Sequence, residues 1–234
     1  MHKDILLLGY AREGSTRVKN KMTRPFDDTT LFDIYMKKFE DIQQNNVQMF
    51  HPFNNIKMAI SRSDKVLWGM IKKYDVDVLE RSKYSVNASI SNDCKKVYHY
   101  LENIDEDYVM WINGCFPLLT IGTILNIGRL FLKRDNIKGV HCVKKVKNWI
   151  WDYNNKSIIN GENIGRISTV HFKPYLESVH CCHIYNKNYL LEQNSYWPFT
   201  ENNPYLYEVE DSIEFMDIDT DVEFKVLEEL WKNR

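Results

Sequence analysis

Residues 9–21, GYAREGSTRVKNK, are the stretch of sequence that decides the fold. The apolar run Ile5–Leu8 immediately before it predicts a buried strand, and a helix is predicted to begin just after Thr30. In open α/β sheets, the loop between the first strand and the first helix is a common binding place for phosphate groups. The stretch therefore predicts an α/β protein with a phosphate-binding loop after its first strand.

The loop combines small residues with several cations. These residues are Arg12, Gly14, Ser15, Arg17, Lys19 and Lys21. Small residues let the backbone turn and present its N–H groups, and the cations add positive charge, so we interpret the loop as a cradle for a triphosphate. Its spacing matches neither GxxxxGK[ST] nor GxGxxG, and a solvated basic connection therefore stays open as the alternative.

Composition narrows the class of protein. The chain has 234 residues, and its hydrophobic content of 44% and charged content of 27% are typical of a globular domain. The net charge of -1 gives no overall field that would attract nucleic acid or a membrane surface. No run approaches the ~18 apolar residues of a transmembrane helix, and the apolar run near the start is too short for a signal peptide. The five cysteines, an odd number without CxxC spacing, suit a reducing compartment, so we expect a cytoplasmic protein.

Alternating helix and strand patterns predict the fold class. The predicted strands are residues 5–8, 47–50, 56–60, 76–79, 108–112, 139–146, 148–153, 179–185, 205–209 and 213–216. The predicted helices are residues 31–43, 64–71, 94–101, 121–134, 188–193 and a last helix that ends near residue 231. A strand, helix, strand order is typical of βαβ units with parallel strands. We therefore expect a single α/β domain over residues 1–234, with a mostly parallel central sheet and flanking helices.

A small extension is predicted within this domain, at approximately residues 140–185. Gly139–Val146 and Asn148–Tyr153 have the pattern of two hairpin strands. The pattern weakens over residues 156–178, where we expect an irregular arm. The hairpin and arm together are a candidate dimerisation extension.

Two aspartates near the end of the chain predict a metal site. Asp217 and Asp219 are two residues apart on a segment between a predicted strand and the last helix, so both carboxylates project from one face of an extended chain. Carboxylate pairs of this kind hold Mg²⁺ against substrate phosphates. The alternative is that Asp219 or Thr220 caps the last helix, with Glu223 completing a capping box.

Two further groups of polar residues are candidates for substrate binding. Arg81 precedes a serine and asparagine run that could hold a nucleotide, although the local sequence slightly favours a solvated loop with helix caps. That run contains Ser85, Asn87, Ser89, Ser91 and Asn92. Asn113 and Cys115 follow a central strand at its carboxyl end, where α/β sheets bind ligands, and an Asn side chain can contact an acyl or hydroxyl group. Cys115 has no evident paired base, which disfavours a nucleophilic role.

Residues 180–183, His-Cys-Cys-His, have the composition of a zinc site. Strand alternation would place His180 and Cys182 on one face, and Cys181 and His183 on the other. Four ligands divided between two faces cannot close on one ion, so we expect a structural strand instead.

The two ends of the chain together resemble a known family. Residues 11–17 with Lys21 resemble the ARxGSxR…K nucleotide loop of the acylneuraminate cytidylyltransferases, the CMP-sialic acid synthetases. Residues 216–224, MDIDTDVEF, resemble their IDIDTxxDF metal segment. The resemblance implies a Rossmann-like nucleotidyltransferase fold with a dimerisation extension. It also implies transfer of CMP from CTP to a hydroxyl of an acidic keto-sugar, a nonulosonic acid, for surface polysaccharide or glycoconjugate synthesis.

The resemblance also implies roles for individual residues. The implied phosphate-binding residues are Arg12, Gly14, Ser15, Arg17 and Lys21. Arg12 and Lys21 are the implied catalytic cations, Arg81 and Ser91 fall where the family binds cytidine, and Asp217 and Asp219 fall where it binds Mg²⁺. The implied partners are CTP and an acidic sugar, in a homodimer with no nucleic acid and no membrane.

The acceptor side departs from the family pattern. Residues 113–118, NGCFPL, stand where the family usually has a QPTSPL-like run, and residues 171–174 retain only Lys173 of an arginine-rich stretch. Asn113, Cys115 and Lys173 are therefore the candidate acceptor-binding residues. A different acceptor, such as a KDO-like sugar or a phosphonate, and a non-catalytic sugar-nucleotide-binding module stay open as alternatives.

Overall fold

The computed structural model describes residues 3–44, 51–87, 93–165, 167–210 and 213–234. The predicted strand at residues 47–50 and the candidate Ser91 lie outside the described residues. Within those ranges, no helix is both long enough and apolar enough to cross a membrane.

The described chain contains nine strands and seven α-helices. The strands are β1 (Ile5–Tyr10), β2 (Pro25–Phe26), β3 (Thr29–Thr30), β4 (Asn55–Ile60), β5 (Asp77–Glu80), β6 (Tyr108–Ile112), β7 (Val140–Val146), β8 (Tyr175–Asn186) and β9 (Tyr205–Glu208). The helices are α1 (Leu31–Gln44), α2 (Lys65–Met70), α3 (Lys83–Asn87), α4 (Cys94–Val97), α5 (Ile121–Lys133), α6 (Lys187–Gln193) and α7 (Asp221–Lys232).

Seven strands form the central sheet, in the order β5-β4-β1-β6-β8-β7-β9. Strands β5, β4, β1 and β6 pair in parallel, and β7 pairs in parallel with β9. Only β8 runs against its neighbours, since it pairs antiparallel with both β6 and β7. The predicted α/β class with a mostly parallel sheet is thereby confirmed.

The position of β1 explains why its sequence is continuously apolar. It lies between β4 and β6, and its residues Ile5–Leu8 are completely buried. Ile5 and Leu7 face the larger core, whereas Leu6 and Leu8 face a smaller core on the opposite side of the sheet. A central parallel strand is covered on both faces, so it requires apolar residues at every position.

Two predicted strands are absent from the described structure. β7 forms as predicted, but its antiparallel partner is β8, and residues 148–153 contribute only an isolated bridge between Trp151 and Ile158. The aromatic side chains that alternate in that segment are exposed, Trp151 at 57% and Tyr153 at 84%. A segment with alternating aromatic side chains does not form a sheet strand when those side chains stay exposed. Residues 213–216 form a turn instead of the predicted strand.

A β-bulge in β8 overturns the predicted alternation of residues 180–183. Opposite β7, His183 pairs with His141, but the next pair is Cys142 with Val179, so residues 180–182 are extra. The rings of His180 and His183 consequently lie near each other and near His141, with centroids 5.4 to 5.9 Å apart. Cys181 and Cys182 are both buried in the larger core on the other side of the sheet. Extra residues in a strand change the face on which the following side chains lie.

Candidate functional site

A cleft of about 340 Å³ opens where the carboxyl ends of β1 and β6 meet. The predicted site residues that line it are Arg12, Ser15, Arg17, Lys21, Arg81, Asn113 and Cys115. Neighbouring parallel strands end at the same edge of a sheet, which is why segments far apart in sequence converge there. Gly14 belongs to the same loop but lies outside this lining, and Lys173 is exposed on the arm and is not part of it.

Lys21 joins the basic loop to the aspartate segment. Its side chain is buried, and its ammonium group donates a hydrogen bond to the carbonyl oxygen of Ile218. The same group lies 3.4 Å from a carboxylate oxygen of Asp219. Arg17 donates to the other oxygen of Asp219 at 2.5 Å. The two motifs at the ends of the sequence therefore form one polar site.

Asp217 presents a carboxylate oxygen that has no partner. Its Oδ1 atom is buried without a hydrogen bond. Burial and the neighbouring Asp219 carboxylate raise the pKa of Asp217 to about 6, against the opposing effect of the Lys21 ammonium group. A buried carboxylate oxygen without a donor is satisfied by a proton or a cation. The oxygen donors of Asp217 and Asp219 therefore fit a hard divalent ion such as Mg²⁺.

The end of this segment also caps α7, as the alternative interpretation expects. The cap uses atoms other than the two aspartate carboxylates. Thr220 is the N-cap of α7, with its hydroxyl oxygen accepting from the backbone N–H of Glu223 at 3.2 Å. The Glu223 carboxylate accepts in return from the backbone N–H of Thr220 at 2.7 Å. Neither bond involves the carboxylate of Asp217 or Asp219. The cap fixes the direction of the segment without using either carboxylate.

Arg81 braces the site from within the protein. It is 6% exposed, and its guanidinium donates to the hydroxyl and carbonyl oxygens of Ser85 at 3.2 and 3.1 Å. It also donates to the carbonyl oxygen of Ala11 at 3.4 Å and lies over the ring of Tyr10. These bonds fix the start of the basic loop against α3. Arg81 also lines the cleft, and its contact with a phosphate or a base edge stays a prediction.

The loop after β6 is shaped by Asn113. Its backbone N–H donates to the carbonyl oxygen of Cys181 at 2.8 Å, and its side-chain amide donates to that of His180 at 3.1 Å. Its amide oxygen accepts from the backbone N–H of Cys115 at 3.0 Å. Burial raises the pKa of the Cys115 thiol, which is the opposite of what a nucleophilic cysteine needs. This environment disfavours a nucleophilic role for Cys115, as does the lack of an evident paired base in the sequence.

Sequence reasoning missed two contributors to the site. The Glu13 carboxylate accepts from the backbone N–H groups of Val66 and Leu67 at 2.6 and 3.2 Å, so it ties the basic loop to the start of α2. An acidic residue within an otherwise basic loop was the available signal for such a contact. Tyr98 lines the cleft from the end of α4, and no local pattern in the sequence indicated it.

The comparisons with known proteins come from structure alone. No protein-family model matches the sequence, and no curated protein matches it. Several solved structures are similar to the whole chain, among them the following three. A CMP:2-keto-3-deoxy-manno-octonic acid synthetase in complex with CTP is 11% identical, with a TM-score of 0.68 and coverage of 99% of each chain.

The other two structures belong to bacterial proteins. A 4-diphosphocytidyl-2C-methyl-D-erythritol synthase from Anaerococcus prevotii is 12% identical, with a TM-score of 0.62 and coverage of 98% of this chain and 99% of that chain. A cytidylyltransferase from Leptospira borgpetersenii is 17% identical, with a TM-score of 0.61 and coverage of 100% of this chain and 88% of that chain. At these identities the likeness establishes the fold, and the chain has the Rossmann-like α/β fold of these three structures.

Proposed function

We propose that the protein is a cytidylyltransferase, which transfers CMP from CTP to an oxygen of an acceptor and releases pyrophosphate. The observation that carries the proposal is the meeting of Lys21 with the segment of Asp217 and Asp219 at the edge of the cleft. A cationic loop opposite a carboxylate pair is the apparatus that a triphosphate substrate requires. The three structures of the same fold, whose names include a synthetase with bound CTP and a cytidylyltransferase, support this choice of nucleotide.

In the proposed reaction the acceptor oxygen attacks the α-phosphorus of CTP, a P–O bond forms, and the bond to pyrophosphate breaks. Lys21 is held in place by the Ile218 carbonyl, so its ammonium group stabilises the negative charge of the phosphates without first having to be ordered. Arg12 and Arg17 stand on the exposed side of the same loop and contact the triphosphate as it enters. A Mg²⁺ ion held by Asp217 and Asp219 would supply further positive charge to the triphosphate.

The carboxylate of Asp219 changes partners in this scheme. In the described structure it pairs with Arg17, whose side chain is 67% exposed, and such a pair is weak in water. Arg17 is therefore free to turn from Asp219 to a phosphate when the nucleotide binds.

For the acceptor we propose an acidic keto-sugar, a nonulosonic acid or a related octulosonic acid. The octulosonic acid is favoured by the likeness to a CMP:2-keto-3-deoxy-manno-octonic acid synthetase over 99% of the chain. Asn113 lines the cleft and uses its amide to fix the loop, so in this proposal it shapes the acceptor pocket. Lys173 contacts the acceptor in this proposal only if the arm of a second copy reaches the cleft.

We also propose a homodimer formed through residues 147–174, the part of the predicted extension at residues 140–185 that lies between β7 and β8. Several apolar side chains of this extension are exposed, among them Trp151 at 57%, Ile167 at 98% and Val170 at 69%. Burying such side chains against a second copy is favourable. Light scattering after size-exclusion chromatography measures the mass directly, and a monomer at micromolar concentration would contradict this part of the proposal.

The experiment that tests the reaction is pyrophosphate release from each of the four nucleoside triphosphates with Mg²⁺, across a panel of nonulosonic acids, octulosonic acids and phosphonates. Release that requires CTP and one acidic sugar is the expected result. Release with a phosphonate would support the proposed transfer of CMP but would replace the acidic sugar by a phosphonate as the acceptor. No release with any acceptor, while CTP still raises the melting temperature, would favour a non-catalytic nucleotide-binding module.

A further inference from the structure

Three thiols meet inside the sheet, away from the candidate cleft. Cys142 lies on β7, and Cys181 and Cys182 lie in the bulge of β8. All three are completely buried. The sulfur of Cys182 lies 3.6 Å from that of Cys142 and 3.8 Å from that of Cys181, and all three sulfurs lie within 4.8 Å of one another.

These separations match those of sulfurs that share one ion. Thiolates bonded at about 2.3 Å to one ion, at near-tetrahedral angles, stand about 3.8 Å from each other. The bulge is what makes the arrangement possible, because regular alternation would have placed Cys181 and Cys182 on opposite faces of the sheet. The three sulfurs therefore have the spacing of a ligand set.

The surroundings restrict the kind of ion. Among the described residues, no histidine or carboxylate joins the three sulfurs, so the site offers three ligands and not the four of a structural zinc site. The strand neighbours are Ile112 opposite Cys182, and Val179 and Tyr207 opposite Cys142. In such apolar surroundings a net charge is costly, so a complex of low total charge is favoured.

We propose that Cys142, Cys181 and Cys182 form a binding site for a soft ion that takes three thiolates. Soft ions such as monovalent copper prefer thiolate ligands. A trivalent metalloid of the arsenite class fits the charge best, because three As–S bonds leave a neutral product. In that step arsenous acid, As(OH)₃, loses three hydroxyl groups, each thiol loses its proton, and three water molecules leave, with no change of oxidation state.

The site does not depend on the proposed cytidylyltransferase activity, and its test does not involve a nucleotide. The full-length protein is unfolded in denaturant and refolded with a non-thiol reductant, in separate samples with arsenite, with monovalent copper and with Zn²⁺. Refolding gives the ion access to thiols that are buried in the native state. Native mass spectrometry then counts the ions on each chain.

The expected result is one arsenic or one copper per chain, with a higher melting temperature than that of the ion-free protein. For arsenic, the mass gain is that of one arsenic atom less three protons. Cys142→Ala and Cys182→Ala should lose the ion, whereas the matched control Cys94→Ala, a cysteine on α4 outside the cluster, should retain it. Zn²⁺ should be lost when the refolded protein is exchanged into ion-free buffer before the mass measurement.

Because the two core variants could fail to fold, the wild-type protein supplies a second measurement. X-ray absorption at the edge of the bound ion should show three sulfurs at about 2.3 Å. A refolded wild-type protein that retains neither arsenic nor copper would overturn the proposal. So would an ion with fewer than three sulfur ligands, or a Cys142–Cys182 disulfide in the protein isolated from cells.

Discussion

The ammonium group of Lys21 lies 3.4 Å from the carboxylate of Asp219, although 198 positions separate the two residues in the chain. The contact joins the loop after β1 to the segment before α7, and it is completed by the bond from Lys21 to the Ile218 carbonyl. A buried ammonium group that contacts two acceptors is held in one position. The proposed chemistry depends on that position.

Lys21→Met should lower kcat for pyrophosphate release by about 100-fold or more, because one preorganised positive group is removed from the phosphates. Methionine keeps most of the buried volume but leaves the Ile218 carbonyl without its donor, so the melting temperature should fall modestly while the protein still folds. The matched control is Lys19→Met, which removes an exposed cation from the same loop. A Lys21→Met enzyme within a few-fold of wild type would show that Lys21 is only structural.

Asp217→Asn should raise the Mg²⁺ concentration for half-maximal activity by about 10-fold or more, because one of two anionic ligands becomes neutral. The variant should be at least as stable as wild type near pH 7. Burial and Asp219 raise the pKa of Asp217 to about 6, so its charged form is unfavourable in the folded protein. Titration calorimetry with Mn²⁺ checks the affinity. The control is Asp221→Asn, an exposed carboxylate paired with Arg24, and an equal loss in both variants would remove the metal assignment.

Thr220→Ala should lower the free energy of unfolding by about 1 kcal/mol, the usual cost of a lost N-cap. The cap uses the Thr220 hydroxyl and the Glu223 carboxylate, so Thr220→Ser should recover most of the loss. Urea denaturation measures both variants. The Mg²⁺ requirement of Thr220→Ala should stay within two-fold of wild type, and a large rise would mean that the cap and the metal ligands are one unit.

Stability should fall in acid because of two buried histidines, His141 and His183, whose pKa values are both lowered by burial. Burial, with a contribution from His180, lowers the pKa of His141 to about 4, below the ~6.5 of an unfolded chain. Between these values the unfolded state binds a proton that the folded state does not, so the free energy of unfolding falls as the pH falls from about 6.5 to about 4. The loss due to His141 is at most about 3 kcal/mol.

The measurement is urea denaturation of wild type and His141→Gln at several values of pH. The variant should lack part of the decrease between pH 6.5 and 4, because His183 still contributes, whereas His171→Gln, which changes an exposed histidine, should retain all of it. Parallel curves for wild type and His141→Gln would show that another group controls the acid transition.

Much of the sheet could be predicted because its signals are local. The buried residues of β1 and β6 form continuous apolar runs, and α1 begins and ends within a residue of its prediction. The two strand errors came from segments that have the pattern of a strand but do not pair with any strand of the central sheet. Trp151 in the arm and the turn at residues 213–216 are the examples.

Part of the candidate site could also be predicted from local signals. Residue types in the basic loop and the aspartate segment indicated their chemistry separately, and their meeting was inferred from the likeness of both ends to one family. The bracing role of Arg81 and the contact of Glu13 with α2 depend on neighbours that are distant in sequence. Such contacts leave no periodic pattern for sequence analysis to find.

The sequence by itself determined the α/β class and the central strands. It also determined the chemistry of the basic loop near the start and of the aspartate segment near the end. Apolar periodicity and residue chemistry are properties of short segments. Tertiary structure alone decided which face each residue of β8 occupies. The bulge at residues 180–182 brings Cys181 and Cys182 together with Cys142, and it separates them from the histidines. A register shift is set by pairing with both neighbouring strands, β6 and β7, and that pairing exists only once the sheet has formed.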